Sequence, residues 1–137
     1  MKKRAQVSTI MTSNPITVNL TNNVKDVAKI FEEKNIRHIP VVSGNELLGM
    51  ISKNDIERIS FVTGNQDSHV NTQVYDSLKI EQIMTKQLDT VKAEDEIRDA
   101  AQLLASGKYH ALPVMDSGSL EGIVTSTDVI NYLLEQY

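Results

Sequence analysis

Two segments of the chain carry residue types suited to holding a ligand: Gly49-Met50-Ile51-Ser52-Lys53-Asn54-Asp55 and Gly122-Ile123-Val124-Thr125-Ser126-Thr127-Asp128. In both, a glycine and two apolar residues lead to a hydroxyl residue, and an aspartate follows three positions later. Glycine permits close backbone approach, and a strand running into a helix leaves N–H groups whose positive potential suits phosphate. A carboxylate at that point can accept both hydroxyls of a ribose. The same Ser/Thr-x-x-Asp spacing also describes a capping box, with the hydroxyl as N-cap and the acid near N3. One device can serve as cap and ligand together.

Other reactive types are sparse. His38 and His110 each lie just before an apolar run with a proline, where a partly exposed histidine needs no catalytic role. His69 sits in a polar stretch, where solvation explains it. Gly44 and Gly49 have the spacing of a P-loop, but Met50-Ile51 stands where Lys-Ser/Thr is required, so no lysine reaches the phosphates. With no cysteine, disulfides, thiolate chemistry and Cys-bearing zinc sites are excluded. A nucleophile with an adjacent base, or a metal cluster, is not legible, so the chain does not read as an enzyme.

The elements that position these residues occur twice. At an offset of 73 positions, Ile10-Met11-Thr12 falls on Ile83-Met84-Thr85, Thr17-Val18 on Thr90-Val91, Pro40-Val41 on Pro113-Val114, Gly49 on Gly122 and Asp55 on Asp128. Val24, Val27, Ala28 and Phe31 recur at helical spacing after the capping cluster Thr21-Asn22-Asn23, and Ile97, Ala100, Ala101 and Leu104 repeat that face. Each helix leads to two apolar runs around a Gly-bearing turn, which read as β-hairpins. Proline lacks a ladder donor, so the first hairpin strand is expected at a sheet edge or starting at its proline. A second helix begins near Asp55 and near Asp128. The unit reads strand, helix, strand, strand, helix, an α+β fold whose two copies are expected to share a core around a pseudo-twofold axis. The expected division is residues 1–62, a linker over 63–78, and residues 79–137. Met11 and Met84 fit packing against the partner copy. Helices ending near Asn35 and Tyr137 are expected to expose apolar residues.

Composition narrows the function classes. With 40% hydrophobic and 23% charged residues the chain is of soluble globular type, and a formal net charge of −4 argues against a general nucleic-acid binder. Lys2-Lys3-Arg4 is an isolated basic tip. No stretch approaches the ~20 apolar residues of a membrane helix, and the start lacks a signal-peptide h-region, so a cytoplasmic protein is expected.

The repeated Ile-Met-Thr, the helices followed by Arg37-His38-Ile39-Pro40-Val41-Val42 or His110-Ala111-Leu112-Pro113-Val114, and the two Gly-to-Asp segments together resemble a tandem pair of CBS domains, a Bateman module. The resemblance covers residues 7–60 and 80–137. It implies a regulatory module that binds AMP, ADP, ATP, S-adenosylmethionine or a dinucleotide messenger in clefts between the repeats, with no required cofactor or metal. It also implies a homodimer forming a disc of four repeats, or action on an unidentified regulated protein. A ligand-free dimerisation scaffold is the alternative. Carried over by position, Asp55 and Asp128 are the ribose-binding acids, with Ser52 and Thr125 beside sugar or phosphate and Asn54 and Thr127 as further polar contacts. Arg37, His38 and His110 take the phosphate-side positions. The family's crossed arrangement puts Ile16 and Ile36, with Ile123, on the adenine wall belonging to Asp128, and Tyr109 and Asp89, with Met50, on that of Asp55. Asp89 matches an apolar wall poorly and Ala111 removes a cation, so the sites are expected to differ. The Asp128 cleft, with Arg37 across the axis, is the expected better nucleotide site.

Overall fold

Apolar periodicity becomes local structure in the places where it predicts elements. The computed structural model describes residues 4–62 and 77–137, and their side chains apart from residues 60–62; Lys2, Lys3 and residues 63–76 of the expected linker, His69 included, lie outside the described residues. The strands are β1 (Thr12–Ser13), β2 (His38–Ser43), β3 (Glu46–Ser52), β4 (Val91–Lys92), β5 (Ala111–Asp116) and β6 (Ser119–Thr125). The helices are α1 (Val24–Glu33), α2 (Lys53–Val62), the short α3 (Ile80–Ile83), α4 (Ile97–Ala105) and α5 (Ser126–Glu135), with a 3-10 turn at Val7–Thr9.

The chain divides into two compact units, Ile16–Gln87 and a second made of Met1–Pro15 with Leu88–Tyr137. In the second unit the sheet order is β1-β6-β5-β4, with β4 parallel to β5 and the other pairs antiparallel. The first unit has the same layout in reduced form. Its β2–β3 hairpin carries a parallel bridge from Val18 to Val41 on one side and an antiparallel bridge from Met50 to Thr85 on the other.

Both cores are built from equivalent positions. Val18, Val27, Phe31, Ile39, Val41 and Ile51 are buried in the first unit, and their counterparts Val91, Ala100, Leu104, Leu112, Val114 and Val124 in the second. Each core is closed by a segment that lies outside its own repeat. Ile80 is buried in the first unit's core and Val7 in the second's, so the compact units are cut differently from the sequence repeats. The hairpin and its helix leave a flank of apolar surface uncovered, and the Ile-Met-Thr segment of the other repeat covers it.

Two expectations need correction. Neither proline strand begins at its proline; β2 is an edge strand of its two-stranded sheet, as expected, whereas β5 is an internal strand between β6 and β4. Pro40 lies opposite Met50, whose backbone N–H and C=O are both bonded to Thr85, so the hairpin asks no donor of the proline. Pro113 lies opposite Ile123, the partner of Thr12, and β4 joins β5 only from Val114 onward. The helix ending near Asn35 also differs, because Val24, Val27 and Phe31 of α1 are buried and α1 exposes no large apolar residue. The helix ending near Tyr137, α5, does expose them, at Ile130, Leu133 and Leu134.

Candidate functional site

The chemistry-bearing residues gather at two equivalent strand-to-helix junctions, one per unit. In the first, the Ser52 N–H donates to Asp55 Oδ2 at 2.8 Å and the Asp55 N–H donates to Ser52 Oγ at 3.1 Å. In the second, the Thr125 N–H donates to Asp128 Oδ2 at 2.8 Å and the Asp128 N–H donates to Thr125 Oγ1 at 3.1 Å. Both are capping boxes that satisfy N–H groups left over by the first helical turn. One carboxylate oxygen is thereby committed to the backbone at each site. The other differs: Asp55 Oδ1 lies 3.8 Å from the Arg58 guanidinium, whereas Asp128 Oδ1 has no partner among the described residues. All four residues are half-buried.

The residues before each proline strand are fastened to the same junction. The Lys53 N–H donates to the Arg37 carbonyl at 2.8 Å, and His38 pairs in register with Ser52. The Ser126 N–H donates to the His110 carbonyl at 3.0 Å, and Ala111 pairs with Thr125. Arg37, His110, Asn54 and Thr127 are exposed, and His38 is half-buried. The first unit thus brings together Arg37, His38, Ser52, Asn54 and Asp55, and the second His110, Thr125, Thr127 and Asp128.

Met50 and Ile123 occupy less open positions. Both are buried, and their strands are approached from outside by the Met-Thr segments of the other repeat. The glycines beside them make that approach feasible. A Cβ on Gly49 would lie 2.8 Å from Met84 Sδ and 2.8 Å from the Thr85 carbonyl, and one on Gly122 would lie 2.5 Å from the Thr12 carbonyl and 2.9 Å from Met11 Sδ. The glycine that opens each Gly-to-Asp segment therefore admits protein backbone. This also gives Met11 and Met84 the packing role read from the sequence, each on a strand of the opposite repeat.

Four residues break the internal symmetry. Ile16 is exposed and Ile36 packs partly against the first unit's core, while Asp89 and Tyr109 hold the equivalent places in the second unit. A side-chain hydrogen bond to Asp89 raises the Tyr109 hydroxyl above its usual pKa of 10.0, with desolvation and the adjacent negative charge acting in the same direction. Asp89, a poor adenine wall in the sequence, is engaged with a phenol. Arg58 belongs to no sequence motif, and its place one helical turn beyond Asp55 is the signal of the contact.

Among the described residues, no group of three or more His, Asp or Glu could hold a metal ion, and no helix is long and apolar enough to cross a membrane. The CBS domain family model matches residues 7–61 and 80–135. The uncharacterized protein MJ0188 of Methanocaldococcus jannaschii is 32% identical over 134 residues, 96% of this chain and 45% of that protein, so the chain spans less than half of that relative. Among solved structures, the CBS domain pair of protein MJ0100 in complex with 5′-methylthioadenosine and S-adenosyl-L-methionine superposes with a TM-score of 0.79 at 25% identity, covering 97% of this chain and 98% of that one. CBSX2 in complex with AMP gives 0.78 at 26% identity, covering 96% and 98%.

Proposed function

The chain belongs to the CBS-domain family, and on that premise we propose that it is a regulatory, non-catalytic module that binds an adenosine-containing ligand such as AMP, ADP, ATP or S-adenosylmethionine. The observation that carries this reading is the twice-built strand-to-helix junction, with an aspartate anchored by one oxygen, the second oxygen lying beside the exposed Arg58 at Asp55 and without a partner among the described residues at Asp128. An anchored carboxylate has little rotamer freedom left to lose on binding a ribose. The ligands named for MJ0100 and CBSX2 share the adenosine part that such a junction would hold.

Asp128 with Thr125, Thr127, His110 and Ile123, and Asp55 with Ser52, Asn54, Arg37, His38 and Met50, are the proposed ligand contacts. Ile16, Ile36 and Tyr109 are proposed as residues that face the base. The module acts in the cytoplasm as a homodimer or through a regulated partner protein. The exposed Ile130, Leu133 and Leu134 of α5 support an association surface. Nucleic acid and membrane are not its targets.

Isothermal titration of AMP and of adenosine into the parent protein, Asp55→Asn, Asp128→Asn and the double variant tests the reading. Asparagine keeps an oxygen for the capping N–H, so the fold is preserved while the charge is removed. Each substitution should weaken its own site by about 1.5–3 kcal/mol, the worth of a hydrogen bond to a charged group. Isotherms identical to the parent in all three variants would remove the ribose role. A parent that binds no adenosine compound would favour the ligand-free dimerisation scaffold.

A further inference from the structure

The two junctions share their hydroxyl and carboxylate and differ in nearly every charge around them. At the first, backbone geometry collects Arg37, whose carbonyl accepts the Lys53 N–H at 2.8 Å, His38 opposite Ser52, Lys53 itself at the first helical position, and Arg58 with its guanidinium 3.8 Å from Asp55 Oδ1. The residues at the same places in the second are His110, Ala111, Ser126 and Asn131. Three permanent cations are replaced by a histidine, a serine and an asparagine.

Stability does not explain the cluster. Arg37 and Lys53 make no ion pair among the described residues, and Arg58 is 72% exposed in its pair with Asp55, a geometry that contributes little to folding. Arg37 and Lys53, without an ion pair among the described residues, and the exposed Arg58, weakly paired with Asp55, belong to one helix start, where positive charge adds to its positive end and favours a multiply charged anion. At the second junction the helix end meets Asp128 with no permanent cation at the matching positions, and a phosphate placed beside that carboxylate would meet net repulsion.

We propose that the two junctions take ligands of different charge: the Ser52–Asp55 junction an adenosine compound bearing phosphate, and the Thr125–Asp128 junction a nucleoside without phosphate, neutral or cationic. This rests on the adenosine-binding reading above, adds charge class to it, and reverses the expectation that the Asp128 cleft is the better nucleotide site, because the Arg37 carbonyl is bonded to the start of the Asp55 helix. Arg58 and Asn131 become the residues that set specificity, since they hold equivalent places one turn beyond the two acids.

The test is calorimetric titration of the full chain with AMP and, separately, with adenosine, at low and raised salt. Asp55→Asn should lower AMP affinity at least about tenfold and leave adenosine binding in place, and Asp128→Asn should do the reverse. The exposed substitution Arg58→Asn should reduce the preference for AMP over adenosine by roughly tenfold and flatten its salt dependence, while Asn131→Arg should give the second junction a phosphate preference. If Asp128→Asn is the variant that removes AMP, or if Arg58→Asn weakens both compounds equally, the charge assignment is overturned and adenosine binding stands. If neither compound binds the parent, the adenosine reading itself fails.

Discussion

Gly122 has no room for a methyl group, since a Cβ there would lie 2.5 Å from the Thr12 carbonyl, a backbone atom that cannot swing aside. Gly122→Ala is therefore expected to destabilise the second unit by about 1–3 kcal/mol, the usual range for overpacking. Gly49→Ala, with contacts of 2.8 Å, half of them to the flexible Met84 side chain, should cost less. Urea unfolding of both variants checks the order; equal stability with the parent would mean that the Met-Thr segments do not dock as described. A second residue-scale prediction concerns Tyr109, whose pKa is raised first by its hydrogen bond to Asp89. Because the folded pKa lies above the unfolded one, the stabilisation is present below pH 10 and is lost as pH rises through the folded value. Ultraviolet titration of tyrosinate should show one late-ionising tyrosine that returns to the ordinary range in Asp89→Asn. No change in that variant would dissolve the pair.

Among elements, α5 is the one whose apolar residues outnumber what its own unit covers. Ile130 is 55% exposed, Leu133 40% and Leu134 66%, and Tyr137 beyond the helix is almost fully exposed, at spacings of three and four that form one stripe. Such a stripe is costly in water and suits the proposed homodimer. Light scattering should give twice 15.3 kDa for the parent at micromolar concentration and 15.3 kDa for Leu133→Glu/Leu134→Glu. A parent that stays at the single-chain mass over a wide concentration range would refute the association. The α1 helix offers no comparable face, because its apolar residues are already in the core.

For the molecule as a whole, the exchange of leading segments means that a repeat and a folding unit are different pieces of chain. The second unit depends on residues near the N-terminus: Val7 is fully buried, its N–H donates to the Asp95 carbonyl at 2.8 Å, and the Ile97 N–H donates to the Ala5 carbonyl at 2.9 Å. Deleting residues 1–13 should therefore unfold residues 88–137 selectively. Losing Val7 alone removes about 1.5–3 kcal/mol of burial, a large part of what a unit of this size can have in hand. Hydrogen exchange should show protection lost there and kept over residues 18–56. Uniform protection in both regions would contradict the division into units.

Periodicity, turn glycines and the repeat itself determine the α+β pattern, both hairpins, the helix starts at Asn23 and Thr125, and the pair of capping aspartates, because these depend on interactions within a few residues. The sequence therefore showed where Ser52, Asp55, Thr125 and Asp128 stand on their elements, and resemblance supplied the family. Which segment closes which core was not legible. Ile10-Met11-Thr12 has the same apolar character whether it packs on its own repeat or on the other, and only three-dimensional packing sets it against Gly122. The proline expectation held for β2 and failed for β5 for the same reason, since a strand is internal or at an edge according to neighbours distant in sequence. The pairing of Asp89 with Tyr109 and the gathering of Arg37, Lys53 and Arg58 around one helix start likewise depend on backbone proximity that side-chain type alone does not encode.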